Sequence, residues 1–250
     1  MGAESNLAPP TESRVSIHIH PTGPLAERVL LPGDPGRALR LAQAWLESPA
    51  MFNHHRGLWG YTGQAVDGEP LTIQSTGMGG PSAAIVVTEL AELGARRLIR
   101  VGTCGALDPG LSLGSLIVVN EAVPEDGTSA ALGAGEALVP DPVLTEALLQ
   151  AAGPGTASGR VVSTDLFYDT PEGAEERWAA SGVVAVDMET ATLIALAQRR
   201  GLEAASLLAV SDVTTPVRRR IDTEALLAAE QRLGQVAVAA LSRADPKREA

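Results

Sequence analysis

The sequence predicts a single-domain α/β fold, layered α/β/α around a central mixed sheet. Three observations predict it. Short apolar runs alternate with stretches of helical periodicity from near Val15 to Leu241, with no repeat or linker dividing them. Several runs are apolar at nearly every position, as strands covered on both faces must be. Polar, glycine-rich junctions recur where those runs end, which is where open α/β sheets bind ligands.

The bulk properties narrow the class. The chain has 250 residues, is 45% hydrophobic and carries a formal net charge of −11. That length buries a substantial core, and one large domain over residues 15–250 is expected. Residues 1–14, rich in Ala, Pro, Ser and Glu, read as a flexible leader without the apolar core of a secretion signal. The acidic balance argues against nucleic acid as a partner, because phosphate backbones need clustered Lys and Arg. Membrane is excluded as well, since no apolar run approaches the length of a span. A single cysteine, Cys104, rules out an internal disulfide and fits a reducing compartment, so the cytoplasm is expected.

Arg28-Val29-Leu30-Leu31 is an apolar strand that stops at Pro32-Gly33-Asp34-Pro35-Gly36-Arg37. A helix follows from about Pro35 to Leu46, with Asp34 as its cap and Pro35 in its first turn. Residues Met51–Gly63 read as turn and strand, with Arg56 in their middle. Pro70–Thr76 alternates as a strand does. Gly77-Met78-Gly79-Gly80-Pro81-Ser82 leads into a helix from about Ser82 to Leu93, ended by Gly94. The next strand, Leu98–Val101, holds Arg100 and is expected to end in a turn, Gly102-Thr103-Cys104-Gly105. Ser115–Asn120 is a strand. Glu121–Val139 is rich in Gly and Ala and is expected to be loop near a site or interface. Asp141–Ala152 is helical.

Gly159–Ser163 is a strand running into Thr164–Asp169. A short helix near Gly173–Ala180 precedes the strand Val183–Val186. That strand ends in Asp187-Met188-Glu189, which open a helix to Arg200. Ala204–Val210 ends in Ser211-Asp212-Val213-Thr214-Thr215. A last helix spans about Thr223–Leu241.

Five of these junctions suggest one shared crevice. An Arg inside an apolar strand needs a partner, since a buried unpaired charge costs several kcal/mol. For Arg100 the simplest partner is a bound anion, with Thr103 and backbone N–H groups completing the cradle. Gly33 to Arg37 opens a helix whose free N–H groups attract phosphate, and Arg37 adds a two-pronged donor; a capped helix with a solvent-facing Arg explains it equally well. The Gly77–Ser82 turn mimics a dinucleotide fingerprint. The following strand ends without the acid that would hold a ribose, so a nicotinamide or flavin site is rejected. Asp187, Met188 and Glu189 suit a ribose, the acids accepting from hydroxyls and the thioether packing on the sugar. Either acid alone is also explained by a helix dipole, and Asp212 by capping. His18, His20, His54 and His55 have no metal-ligand spacing, so no metal is expected.

The motifs GDPGR, MGGPS, IRVGTCGA, STDLFY, VDMET and VSD, in this order and at these separations, resemble the nucleoside phosphorylase-I family. The resemblance runs over roughly Ile17–Leu241 and is greatest to hexameric bacterial purine nucleoside phosphorylases. It implies phosphorolysis of purine ribo- or deoxyribonucleosides to free base and pentose 1-phosphate, with inorganic phosphate as co-substrate and no cofactor. It places Gly33, Arg37, Arg100 and Thr103 at the phosphate, with Arg56 reaching a neighbour's phosphate. It places His18, with His20 as an alternative, at the ribose 5′-hydroxyl of a neighbour, and Met78, Met188 and Glu189 at the ribose. Cys104, Gly105, Phe167, Asp187 and Ser211 line the base pocket, and Asp212 faces purine N7 as the catalytic acid, with Arg100 as the second catalytic residue. A homohexamer, a trimer of dimers with shared sites, is implied.

Three departures stand out. Asp187 occupies the place of a Glu and is expected to keep a mainly backbone contact. Thr103 replaces a Ser. The Arg that assists the acid has three candidates, Arg218, Arg219 and Arg220. The EAVPEDGTS segment also looks somewhat like uridine-cleaving relatives. Uridine phosphorylase and methylthioadenosine phosphorylase therefore stay open, as does a nucleoside-binding protein without catalysis. The arginine set argues against a hydrolase that needs no phosphate.

Overall fold

A computed structural model describes residues 16–213 and 217–244. The leader expected over residues 1–14 lies outside them, as do Thr214 and Thr215. Among the described residues ten strands form one mixed sheet. They are β1 (Arg28–Leu31), β2 (Glu47–Asn53), β3 (Gly60–Gln64), β4 (Pro70–Gln74), β5 (Arg97–Ala106), β6 (Leu116–Glu125), β7 (Ala157–Thr164), β8 (Val183–Asp187), β9 (Glu203–Val213) and β10 (Arg219–Arg220). The helices are α1 (Pro35–Trp45), α2 (Gly80–Leu93), α3 (Gly127–Ala131), α4 (Pro142–Ala152), α5 (Ala174–Ala180), α6 (Thr190–Arg200) and α7 (Thr223–Arg243). Asp34, Asp126, Asp141 and Asp222 cap α1, α3, α4 and α7, each accepting from a backbone N–H in the first turn.

The expected α/β/α layering holds because alternate strand residues meet different helices. Leu30, Ile99, Val101, Ala205 and Leu207 pack with α1, α4 and α7 on one face. Val29, Leu31, Leu98 and Ala204 pack with α2 and α6 on the other. Period-two side chains covered on both sides give the all-apolar strands seen in the sequence.

The strand order is β10-β9-β6-β7-β8-β5-β1-β4-β3-β2, and β9 also pairs with β5. Strands β5, β9, β6, β7 and β8 thus close into a ring, while β1 to β4 extend from it. β5 is the hinge of this arrangement. It runs parallel to β1 and β9, and its last residues turn to meet β8, Gly105 opposite Val186 and Ala106 opposite Ala185.

Two expectations need correction here. The segment Gly102-Thr103-Cys104-Gly105 is not a turn: β5 continues through it to Ala106, with a register shift against β9 between Cys104 and Gly105. Pairing with β9 throughout, and with β8 from Gly105, holds extended the small residues that look like a loop. The Glu121–Val139 segment is not mainly loop. β6 continues to Glu125 along β7, α3 follows, and Leu138 bridges back to Ala122. Sheet pairing, invisible in composition, decides both cases.

Candidate active site

A cavity of about 420 Å³ opens at the carboxyl ends of β1, β5, β8 and β9, within the usual size of a small-ligand site. Gly33 and Arg37 reach it from the β1–α1 junction. Arg100, Thr103, Cys104 and Gly105 reach it from β5, and Met78 from the turn before α2. Phe167 follows β7, Asp187, Met188 and Glu189 follow β8, and Ser211 and Asp212 close β9. These expected site residues meet in one cavity, although they span most of the sequence.

Arg100 has partners within the chain that its strand alone did not show. Two carboxylates balance its charge. Nε donates to Asp187 Oδ2 at 2.9 Å, and Nη2 lies 2.6 Å from Glu189 Oε2. The side chain is 5% exposed and Glu189's 9%, so this pairing is nearly dry. Burial works against the Arg100 charge, but Glu189 and then Asp187 outweigh it and raise its pKa. Burial pushes the Glu189 pKa up, opposed by Arg100 and reinforced by Asp187. The free edge of the guanidinium, Nη1, has no hydrogen-bond partner among the described residues.

Gly102 explains how β5 accommodates this. A Cβ at Gly102 would lie 2.6 Å from Arg100 Cζ and 2.5 Å from Nη2. The guanidinium folds back over the bare Cα, two residues along its own strand.

Asp187 is wholly committed to the interior. Besides Arg100, it accepts from Ser163 Oγ at 2.6 Å, Thr190 Oγ1 at 2.6 Å and Thr190 N at 3.1 Å. An Asp rather than a longer Glu keeps these donors within reach of the α6 start. Glu189 is held the same way, its Oε1 accepting from Gly79 N at 2.6 Å. That bond fixes the Gly77–Gly79 turn, where Gly77 and Gly79 both have positive φ.

Arg37 is likewise buried and paired, Nε donating to Glu230 Oε1 at 2.9 Å, while Arg40 Nη2 lies 2.7 Å from Glu230 Oε2. Glu230 sits on α7, and sequence reasoning missed it. The signal was a carboxylate on an apolar helix face, between Ala229 and Leu233.

Asp212 is 3% exposed and lies where β9 pairs with β10, opposite Arg220. Ser211 Oγ donates to its Oδ1 at 3.1 Å. Arg218 Nε stands 3.3 Å from Oδ2. Of the three candidate arginines, Arg218 is the one that reaches Asp212 and lines the cavity. Its guanidinium also lies 5.6 Å from the Phe167 ring centroid, a cation–π contact that joins acid, arginine and aromatic face. Cys104 is buried, its Sγ donating to Ala209 O at 3.7 Å, and burial together with Asp187 pushes the thiol pKa up, so it serves as packing.

His18 and Arg56 are not brought to this cavity. They lie together elsewhere, in one stapled surface. His20 and His55 stack with ring centroids 3.8 Å apart. Asn53 Oδ1 accepts from His20 N and His55 N, and His55 Nδ1 lies 3.2 Å from His18 O. Arg56 is exposed and left-handed, with φ 57°, a conformation that costs a non-glycine residue about 1 kcal/mol. Trp178 and Glu175 also line the cavity, and no motif marked them; Thr164, within the STDLFY motif, lines it too.

Fold and cavity define an α/β protein whose small-ligand site, at the strand ends, is lined by arginines, carboxylates and the aromatic side chains of Phe167 and Trp178. A family model described as the phosphorylase superfamily matches residues 27–243. The chain belongs to that superfamily. A purine nucleoside phosphorylase of DeoD type from Geobacillus kaustophilus (strain HTA426) is 41% identical over 205 residues, covering 79% of this chain and 86% of that one. Purine nucleoside phosphorylases of the same type from Alkaliphilus metalliredigens (strain QYMF) and Caldanaerobacter subterraneus subsp. tengcongensis are each 39% identical. Both cover 79% of this chain and 88% of their own.

Proposed function

We propose that the protein is a purine nucleoside phosphorylase, a pentosyltransferase that converts a purine nucleoside and inorganic phosphate to free base and pentose 1-phosphate. The observation that carries this reading is the Asp212–Arg218 pair beside the Phe167 ring, at one cavity with Arg37 and Arg100. The similarity to DeoD-type purine nucleoside phosphorylases over most of both chains supports it.

The reaction breaks a C–N bond through an oxocarbenium-like state, with the base leaving as an anion. Phe167 offers a face to the base, and Asp212 stands where a proton shared with purine N7 neutralises that anion. Such acid assistance contributes about a hundred- to ten-thousand-fold. Arg218 holds Asp212 in place and adds positive charge beside the leaving base. Glu189, anchored by Gly79 N and Arg100, accepts from the ribose hydroxyls with its remaining lone pairs. Phosphate meets the anomeric carbon in line, held by Arg37, Arg100, Thr103 and the Gly33 backbone.

The phosphate site is incomplete in one copy. The cavity is lined by Arg37, Arg100 and Arg218 against Asp34, Glu175, Asp187, Glu189 and Asp212. Adding a phosphate dianion to that excess of carboxylates calls for another cation. Arg56, exposed and remote from its own cavity, supplies it to a neighbouring copy, and His18 comes with it. The assembly is a hexamer of three such dimers, formed by residues 15–250 as one domain and working in the cytoplasm. Among the described residues no helix is long and apolar enough to cross a membrane.

The test is a panel of inosine, adenosine, guanosine, methylthioadenosine and uridine at saturating phosphate. Purine nucleosides should be cleaved, with uridine at least about a hundredfold slower. Preferential cleavage of uridine would overturn the purine assignment.

A further inference from the structure

Glu89 lies in the middle of α2 beside Val86, Val87 and Leu90, on a buried, otherwise apolar stripe. A carboxylate there is costly unless its lone pairs find donors. The non-helical segment 16–19 wraps around it and supplies them. Ser16 Oγ donates at 2.5 Å, Ile19 N at 2.7 Å and His18 N at 2.9 Å, all to Oε2. Ile17 N donates to Oε1 at 3.2 Å. His18 Nδ1 lies 2.7 Å from the same Oε1. Burial opposes the charge on Glu89. The hydrogen bonds from Ser16 and His18, followed by backbone N–H groups, outweigh it and lower the pKa to about 2.

An ionised carboxylate only accepts. The proton between His18 and Glu89 therefore sits on Nδ1. In the neutral ring Nε2 is then an acceptor, and it has no hydrogen-bond partner among the described residues. The ring is 28% exposed, so Nε2 can be offered outward. Asn53 and the His20–His55 stack fix the neighbouring backbone, which leaves the imidazole little freedom to turn.

We propose that Glu89 is a positioning residue that holds His18 with Nε2 as an acceptor, and so makes the site select a 5′ group that donates a hydrogen bond. A free 5′-hydroxyl meets that demand; a 5′-deoxy or 5′-thioether group cannot. The proposal rests on the reading of His18 as the residue offered to the ribose. It reaches beyond that reading to the tautomer, its cause and the resulting choice of substrate.

Two measurements test it. The ¹⁵N shifts of His18 in the intact protein should report protonated Nδ1 and unprotonated Nε2; the opposite tautomer overturns the proposal and needs no assay. Secondly, kcat/KM is compared for a purine nucleoside and its 5′-deoxy and 5′-methylthio analogues. The wild-type protein should favour the hydroxyl by about tenfold or more. In Glu89→Gln the amide N–H groups face Nδ1 and favour the other tautomer, so the preference over the 5′-methylthio analogue should fall at least about threefold. Turnover of the 5′-deoxy analogue should persist, which reports an intact fold. An unchanged preference in active Glu89→Gln overturns the proposal. If that variant loses activity on every substrate, the wild-type tautomer decides. If the wild-type protein cleaves no nucleoside, the phosphorylase reading fails instead, while the tautomer remains readable.

Discussion

At the scale of single residues, Asp212 is a buried carboxylate that has, among the described residues, one hydroxyl donor, Ser211, and one long contact to Arg218. It is held but not saturated, which suits a group that must pass a proton to a ligand. Asp212→Asn keeps the shape and the contact with Arg218 but cannot share a proton. We expect turnover of inosine to fall by about a hundred- to ten-thousand-fold, with little change in the phosphate concentration needed for half-maximal rate. Steady-state assays of correctly folded variant check this, and near-wild-type turnover would remove Asp212 from the acid role. Asp212 could be read in the sequence because it ends an apolar strand. Arg218 could not be singled out, because Arg218, Arg219 and Arg220 stand at nearly equal distance along the chain and only the short β10 pairing decides which one turns inward. Glu89 and Glu230 were legible only as anomalies. A carboxylate on an apolar helix face announces a partner without saying which.

At the scale of elements, β5 carries the most information. Its apolar half was plain in the sequence, but its glycine-rich half was not. Propensity counts side chains, and this half is held by ladders to β9 and β8 instead. Arg100 was expected to need an anion; it has Asp187 and Glu189, contributed by a strand end far along the chain. Such partners are set by topology, which no local pattern encodes. Gly102 tests the element directly. Its φ is not in the left-handed region, so the backbone tolerates alanine. The added methyl would collide with the Arg100 guanidinium, which cannot move without leaving both carboxylates. Gly102→Ala should therefore raise the phosphate requirement and lower kcat/KM by about a hundredfold. Unchanged phosphate dependence, measured by initial rates across phosphate concentrations, would contradict the placement of Arg100.

At the scale of the whole molecule, the closed ring of β5, β9, β6, β7 and β8 explains why one cavity gathers residues from Gly33 to Arg218. Strand ends that would fan apart in an open sheet are drawn together over a single crevice. The ordered junctions made the gathering legible in the sequence; ring closure was not, since it depends on two residue pairs between β5 and β8. The separation of His18 and Arg56 from the cavity also lies at this scale; in the assembly we propose, a second copy brings them to it. The central claim is that the cavity transfers a pentose from a purine to phosphate. It is tested most directly by ³¹P NMR of inosine with equimolar phosphate and the protein. The account predicts that the inorganic phosphate resonance gives way to that of a sugar phosphate ester, one for each hypoxanthine released. Hypoxanthine released while the phosphate signal stays unchanged would contradict it.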